Sequence, residues 1–217
     1  MKAYWAPRAT LPEGVRKRVR ICVEDGVISE IDHGVDLEPE DTILEGLVRP
    51  GFANAHSHAF HRALRGRTHG DGGTFWTWRE QMYAVTELLD PVTYQALATA
   101  AFAEMVLAGY TAVGEFHYLH HGPGGSGYAD PNAMGQALMS AAHEAGIRMT
   151  LLDTVYLSGG LFASGHQPLD ATQVRFADAS VQAWQERVSS LVPTSMVKHG
   201  AAIHSVRAVP REHLGEV

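Results

Sequence analysis

PGFANAHSHAFHRALRGRT, residues 50–68, begins as a buried strand and runs out into a polar loop. The strand is predicted over residues 52–56, directly after Pro50-Gly51. His56 and His58 are separated by one residue, and in extended backbone alternate side chains share a face. Two imidazoles aimed at one point make half of a zinc site, because zinc takes three or four ligands, most often His, Cys or carboxylate. The plain alternative is a pair of solvated loop histidines. The position speaks for ligation: an apolar strand ends here, and strand ends are where barrel enzymes build their sites.

On the carboxyl side the pattern changes period. FWTWREQMYAVTELL (75–89) has helical spacing, and Asp90-Pro91 supplies an N-cap and a first-turn proline for a second helix that ends at Gly109. YTAVGEFHY (110–118) reads as a second buried strand, followed by the glycine-rich HGPGGSG (121–127). Asp130-Pro131 opens another helix, closed by Gly146, and IRMTLLDTVYL (147–157) is a third strand. A loop over 158–168, a helix around 177–191 and a fourth strand, VKHGAAIHSV (197–206), follow, and Pro210 begins a further helix. On the amino side, VRKRVRICVEDGVISEI (15–31) holds two apolar runs joined by Asp25-Gly26, a strong hairpin signal, and another strand is predicted over 43–48.

Repeated strand–loop–helix units imply a parallel sheet. A doubly wound open sheet is the competing architecture, but no glycine fingerprint follows the first strand, and HGPGGSG lacks the Walker lysine and reads as a plain flexible loop. The predicted fold is α/β: a small β module over residues 1–48, then over 49–217 the amino-terminal part of a (β/α)8 TIM-like barrel of about four βα units, truncated at the carboxyl end.

Composition narrows the function classes. A formal charge of -7 gives no electrostatic reason for a nucleic-acid partner, and no apolar run approaches membrane-spanning length. Cys22 is the single cysteine, so an internal disulfide is excluded and a reducing, cytoplasmic setting is expected. The 13 histidines are clustered, among them His56, His58, His61 and His69, then His117, His120 and His121, which suits metal or acid–base chemistry.

The Pro-Gly-x-x-Asn-x-His-Ser-His segment at 50–58 resembles the amidohydrolase superfamily of metal-dependent hydrolases. A finer resemblance, to the formimidoylglutamate deiminase family, is carried by AHSHAFHRALRG (55–66), FWTWREQMY (75–83), GYTAVGEFHYLHH (109–121) and IHSVRAV (203–209). It implies Zn2+ or a similar divalent metal held by His56 and His58, with water as the attacking reagent. The implied reaction is hydrolysis of N-formimidoyl-L-glutamate to N-formyl-L-glutamate and ammonia, a step of histidine degradation. The substrate carries two carboxylates, so Arg79 and Arg207 are the implied clamps, and Tyr118 and His204 the implied polar contacts. His61 is a departure, since similar sequences often carry glutamine there, a neutral amide.

Without the family, Arg79 reads as a member of a surface helix pair, and Arg207 and Tyr118 as loop solvation and strand-end packing. The same resemblance places the remaining ligands and the acid–base glutamate on later strands, so no catalytic acid–base residue is expected before Val217 and the isolated chain is expected to be inactive. Glu115 and His117 share a strand face, where packing or supporting roles are expected, and Trp76 and Trp78 read as core or loop anchors. Unpaired edges of a half barrel favour association, and the full-length form is expected to be a homo-oligomer. Another deaminase of the superfamily, acting on an aminopurine or cyclic amidine, is the alternative activity. A non-catalytic half barrel completed by a partner is the alternative of a different class.

Overall fold

The chain opens with a strand that the sequence pattern does not announce. In the computed structural model, which describes residues 1–68 and 73–217, β1 (Lys2–Leu11) pairs antiparallel with β2 (Gly14–Glu24), from Lys2 opposite Val23 to Leu11 opposite Gly14. Its buried positions are alanines, Ala6 and Ala9, and Pro7 interrupts it, so neither apolar alternation nor continuity shows in the letters. Opposite Pro7, Arg18 takes a φ of 51°, and the pairing resumes on either side. β3 (Val27–His33) completes the hairpin, with Asp25 and Gly26 both at positive φ as its two-residue turn requires. The strand predicted over 43–48 is two short ones, β4 (Thr42–Ile43) and β5 (Leu47–Val48), each parallel to β1, with Gly46 at φ 79° between them. These elements belong to one compact unit, Met1–Gly51, and the rest of the chain, Phe52–Val217, to a second.

The second unit is built on a four-stranded parallel sheet. β6 (Phe52–Ser57) leads through a 3-10 turn (Ala59–Leu64) to α1 (Phe75–Glu87) and α2 (Pro91–Leu107). β7 (Tyr110–His117), α3 (Ala133–Ala145) and β8 (Arg148–Val155) follow. A small hairpin, β9 (Gly160–Phe162) with β10 (Gly165–Gln167), occupies the segment predicted as loop. α4 (Val181–Ser189) and β11 (Val197–Ile203) complete the unit. The spatial order is β6, β7, β8, β11, the order of the sequence, with every pair parallel. Fully buried Phe102, Tyr94, Leu138, Ile147 and Leu151 form the core between the sheet and the helices.

The caps explain most helix boundaries. Thr74 and Asp90 each accept from the amide three residues on and receive a reciprocal bond, which starts α1 and α2 where the sequence predicts. α3 begins at Ala133 rather than at Pro131, and its N-cap residue Asn132 does not cap. The Asn132 side chain is committed elsewhere: its Oδ1 accepts from Arg187 Nη1 at 3.3 Å, and its Nδ2 donates to the Arg187 carbonyl and to Ser190 Oγ, both at 2.8 Å. α4 is shorter than the predicted 177–191 because Ser180 Oγ accepts from the Ala183 amide and starts the helix there. After Pro210 only a single 3-10 turn forms, Arg211–His213. The glycine-rich loop is an ordered turn, closed by the Gly122 amide on the Ser126 carbonyl. His69 lies outside the described residues.

Candidate active site

The end of β6 owes its shape to β7. Asn54 pairs with Val113, but the next partners are Ser57 and Glu115, so β6 carries one residue more than its neighbour over this interval. Gly114 makes the approach possible: a Cβ there would stand 2.9 Å from the Ala55 carbonyl oxygen. Past this bulge His56 and His58 converge, with their Nε2 atoms 2.9 Å apart and their rings edge to face. His58 Nδ1 lies 3.0 Å from the Phe116 carbonyl, which can only accept. Nδ1 therefore carries the proton, and Nε2 presents its lone pair toward His56, the arrangement a metal-ligating imidazole needs. Burial lowers the His58 pKa, which keeps the ring neutral and able to ligate. Two nitrogens about 2.1 Å from one ion stand about 3.0–3.4 Å apart for right-angle to tetrahedral geometry, so the pair nearly fits as it stands.

A cavity of about 690 Å³ opens over these rings. It gathers every candidate residue named from the sequence: His56, His58, His61, Arg79, Tyr118, His204 and Arg207 all line it. Tyr118 is buried just past β7, and its hydroxyl shares a 3.0 Å hydrogen bond with His61 Nε2. Burial pushes His61 down to about 3, with the neighbouring His58 adding to the shift, and pushes His204 down to about 4. Both rings are neutral hydrogen-bonding groups at physiological pH. Desolvation likewise raises the Tyr118 phenol, which stays protonated.

Arg79 comes from α1, with its guanidinium 5.0 Å from the Tyr83 ring centroid and 5.8 Å from that of Trp76. It is thus a cavity residue, not one of a surface helix pair. Trp78 stands edge-on to His61 at 5.1 Å, whereas Trp76, expected as an anchor, is 58% exposed and lines the cavity. Sequence reasoning missed Tyr83, Tyr156 and Phe176, which also line it. Phe176 packs against Tyr83, Tyr118 and Tyr156 at centroid distances of 5.3–5.9 Å. No local pattern marks a lone aromatic in a connecting segment as part of a site wall. A second, more open groove of about 740 Å³ lies between α2, α3 and residues 190–197, and holds none of the candidate residues.

Another group of ligand-type side chains sits apart from the cavity. His117, His120 and Asp153, all buried, bring atoms within 4.8 Å of one another, and among the described residues this is the one such trio. Its carboxylate is already engaged. Asp153 accepts two bonds from Arg187 at 2.8 and 2.9 Å and a third from Trp184 Nε1 at 2.8 Å. His120 Nε2 donates to the Thr154 carbonyl at 3.0 Å, which leaves the lone pair on Nδ1, where no hydrogen-bond partner meets it. A guanidinium touching the same carboxylate opposes a second cation, and the trio reads as part of a buried polar cluster. Glu115, on the same face of β7 as His117, is fully buried, and burial pushes its carboxyl up to about 7.

Known proteins resemble this chain in sequence and in fold. The model of the amidohydrolase family (Amidohydro_1) matches residues 47–216. The chain belongs to the amidohydrolase family. Over its full length this amidohydrolase chain is 40% identical to formimidoylglutamate deiminase of Pseudomonas aeruginosa, of which it covers 48%. Over 111 residues it is 29% identical to 8-oxoguanine deaminase of the same organism, covering 48% of this chain and 24% of that protein. Among solved structures, an amidohydrolase from Brucella melitensis superposes with a TM-score of 0.88 at 34% identity, over all of this chain and 49% of the other. The zinc complex of atrazine chlorohydrolase TrzN from Arthrobacter aurescens superposes with a TM-score of 0.72 at 19% identity, over 98% of this chain and 48% of that one, a likeness of fold alone. The chain thus spans about half the length of the deiminase and of the Brucella protein. Among the described residues no helix is long and apolar enough to cross a membrane.

Proposed function

We propose that this chain forms the first half of a (β/α)8 barrel that hydrolyses the formimidoyl C–N bond of N-formimidoyl-L-glutamate. Water adds to the formimidoyl carbon, the C–N bond to the terminal nitrogen breaks, and N-formyl-L-glutamate and ammonia leave. The observation that carries the reading is the convergence of the His56–His58 pair and two arginines, Arg79 and Arg207, on one cavity. The 40% identity to a formimidoylglutamate deiminase supports it.

His56 and His58 are the proposed ligands for Zn2+ or a similar divalent ion; their Nε2 atoms converge, and the His58 Nδ1–H held by the Phe116 carbonyl suits that role. The ion, when bound, supplies a Lewis acid and brings the pKa of water to about 7. Arg79 and Arg207 take the two carboxylates of the substrate, Arg79 held between the aromatic faces of Trp76 and Tyr83. Tyr118 and His61 present a coupled pair of neutral hydrogen-bonding groups toward the formimidoyl end, and His204 a third. The neutral imidazole of His61 does there what an amide would do, since burial keeps it uncharged. The proposed setting is cytoplasmic, with the complete enzyme a homo-oligomer and the acid–base residues supplied by the rest of the barrel.

The test is ammonia release from N-formimidoyl-L-glutamate by the complete barrel that contains this chain, compared with release from 8-oxoguanine. Each arginine-to-alanine change, Arg79→Ala or Arg207→Ala, removes a charge-assisted contact of about 1.5–3 kcal/mol, so kcat/KM for the dicarboxylate falls about 10–150-fold. Preferential turnover of the purine, unaffected by either change, would replace this reading with the purine deaminase one, for which the 29% identity to 8-oxoguanine deaminase speaks.

A further inference from the structure

Directly behind the His56–His58 pair lies a carboxylate for which the proposed chemistry has no use. Glu115 is 0% exposed and does not line the cavity, although Phe116 beside it does. Strand alternation explains the difference, because neighbours on β7 face opposite sides of the sheet. Glu115 Oε1 accepts from the Ala59 amide at 2.6 Å, and Ser57 is its register partner across the sheet. Oε2 has no partner. Burying a carboxylate is costly, and an apolar side chain would fill this space at less cost.

The backbone around His58 shows what the carboxylate does there. Ala59 opens the 3-10 turn, and its amide is one of the donors a helical start leaves unsatisfied. The N-cap position belongs to His58, whose backbone is extended and whose side chain makes no cap bond. Its imidazole is committed to the Phe116 carbonyl on one side and to His56 on the other. The missing acceptor comes instead from the neighbouring strand. We propose that Glu115 is the positioning residue of the His56–His58 pair, capping Ala59 from behind so that the His58 imidazole stays free to face the cavity. Gly114 belongs to the same device, since only a glycine lets β6 bend close enough for Glu115 to reach across. By holding the Ala59 amide, Glu115 fixes the turn on the carboxyl flank of His58 and with it the aim of the ring.

The inference rests on the assignment of His56 and His58 as ligands, and the experiment lets the two fail separately. The complete barrel that contains this chain, labelled with 15N in its histidines and backbone, is compared with its Glu115→Gln, Glu115→Asp and His58→Ala variants. The His58 tautomer is read from long-range 1H–15N couplings, Ala59 amide protection from hydrogen exchange, and Zn2+ affinity from chelator competition. Glu115→Gln keeps an acceptor on Ala59 and should preserve all three signals. Glu115→Asp keeps the charge but ends one methylene short. It should lose Ala59 protection and the fixed Nδ1–H tautomer, and about 10–100-fold in Zn2+ affinity, the usual cost of a lost outer partner. Retention of the tautomer and of protection in Glu115→Asp overturns the positioning role. Unchanged Zn2+ affinity in His58→Ala overturns the ligand assignment instead, while the two metal-free readouts still decide for or against Glu115.

Discussion

Arg187→Met removes the one cation from a buried cluster whose carboxylates stay behind. The guanidinium makes five hydrogen bonds: to both Asp153 oxygens at 2.8 and 2.9 Å, to both Asp178 oxygens at 2.9 and 3.0 Å, and to Asn132 Oδ1 at 3.3 Å. The side chains of Arg187, Asp153 and Asp178 are 4%, 1% and 5% exposed, so water cannot replace what is lost. Breaking such a cluster from one side costs about 3–5 kcal/mol. Trp184 Nε1 still donates to Asp153, which places the expected loss in the lower part, about 3–4 kcal/mol, or a Tm about 6–16 °C lower for a chain of this size.

The pH dependence should change sign as well. In the wild type, burial alone would raise the Asp153 carboxyl, but His120 and the Arg187 bonds reverse this and hold it well below the usual carboxylate range. Its contribution is therefore present above the unfolded pKa of about 3.9 and lost as pH falls below it. Without the guanidinium, burial prevails and the carboxyl titrates above its unfolded value. The variant is then penalised most near neutral pH and recovers part of its stability as pH falls toward about 4. Urea titration followed by tryptophan fluorescence between pH 4 and 8 reads both effects, with Trp184 inside the cluster as a local reporter. A loss under about 1 kcal/mol at pH 7, or parallel pH profiles for the two proteins, would refute the account of a desolvated ion network.

Gly114→Ala places a Cβ 2.9 Å from the Ala55 carbonyl and should cost about 1–3 kcal/mol by overpacking; a denaturation midpoint equal to wild type would show that β6 yields without strain. His61 and His204, pushed by burial down to about 3 and about 4, should keep neutral ring resonances in NMR titrations to below pH 5. Because these folded values lie below the unfolded value of about 6.5, their contribution to stability is present above that pH and is lost as pH falls through the window down to about 4 and about 3. Arg175, fully buried, donates to the carbonyls of Thr86, Leu89 and His121 and so ties the end of α1 to the segment after β7. Arg175→Met should loosen α1, seen as faster amide exchange in residues 75–87 with the parallel sheet unchanged.

What the letters alone determined is local chemistry. Apolar runs marked β6, β7, β8 and β11, and the caps at Asp90 and Gly146 and the turn at Asp25-Gly26 set boundaries within a few residues of those observed. The two-residue step from His56 to His58 implied a shared aim, and the rings do converge. Family resemblance, not spacing, pointed to Arg79, Tyr118, His204 and Arg207, because no local period relates residues on α1 to others more than a hundred positions away.

Tertiary structure decided what depends on partners distant in the chain. β1 exists because β2 pairs with it, although its own buried positions are small alanines. Asn132 gives up its cap because the Arg187 guanidinium takes its side-chain oxygen while the Arg187 carbonyl and Ser190 take its nitrogen. Asp153 and Arg187, ordinary charged letters on a strand and a helix, become a buried ion cluster only when α4 packs on the sheet. Glu115 becomes the cap of a turn 56 residues away only because β6 bulges against Gly114. A hydrogen bond or an ion pair in the interior is worth what its surroundings exclude, and exclusion of water is a property of the packed fold that no stretch of sequence carries by itself.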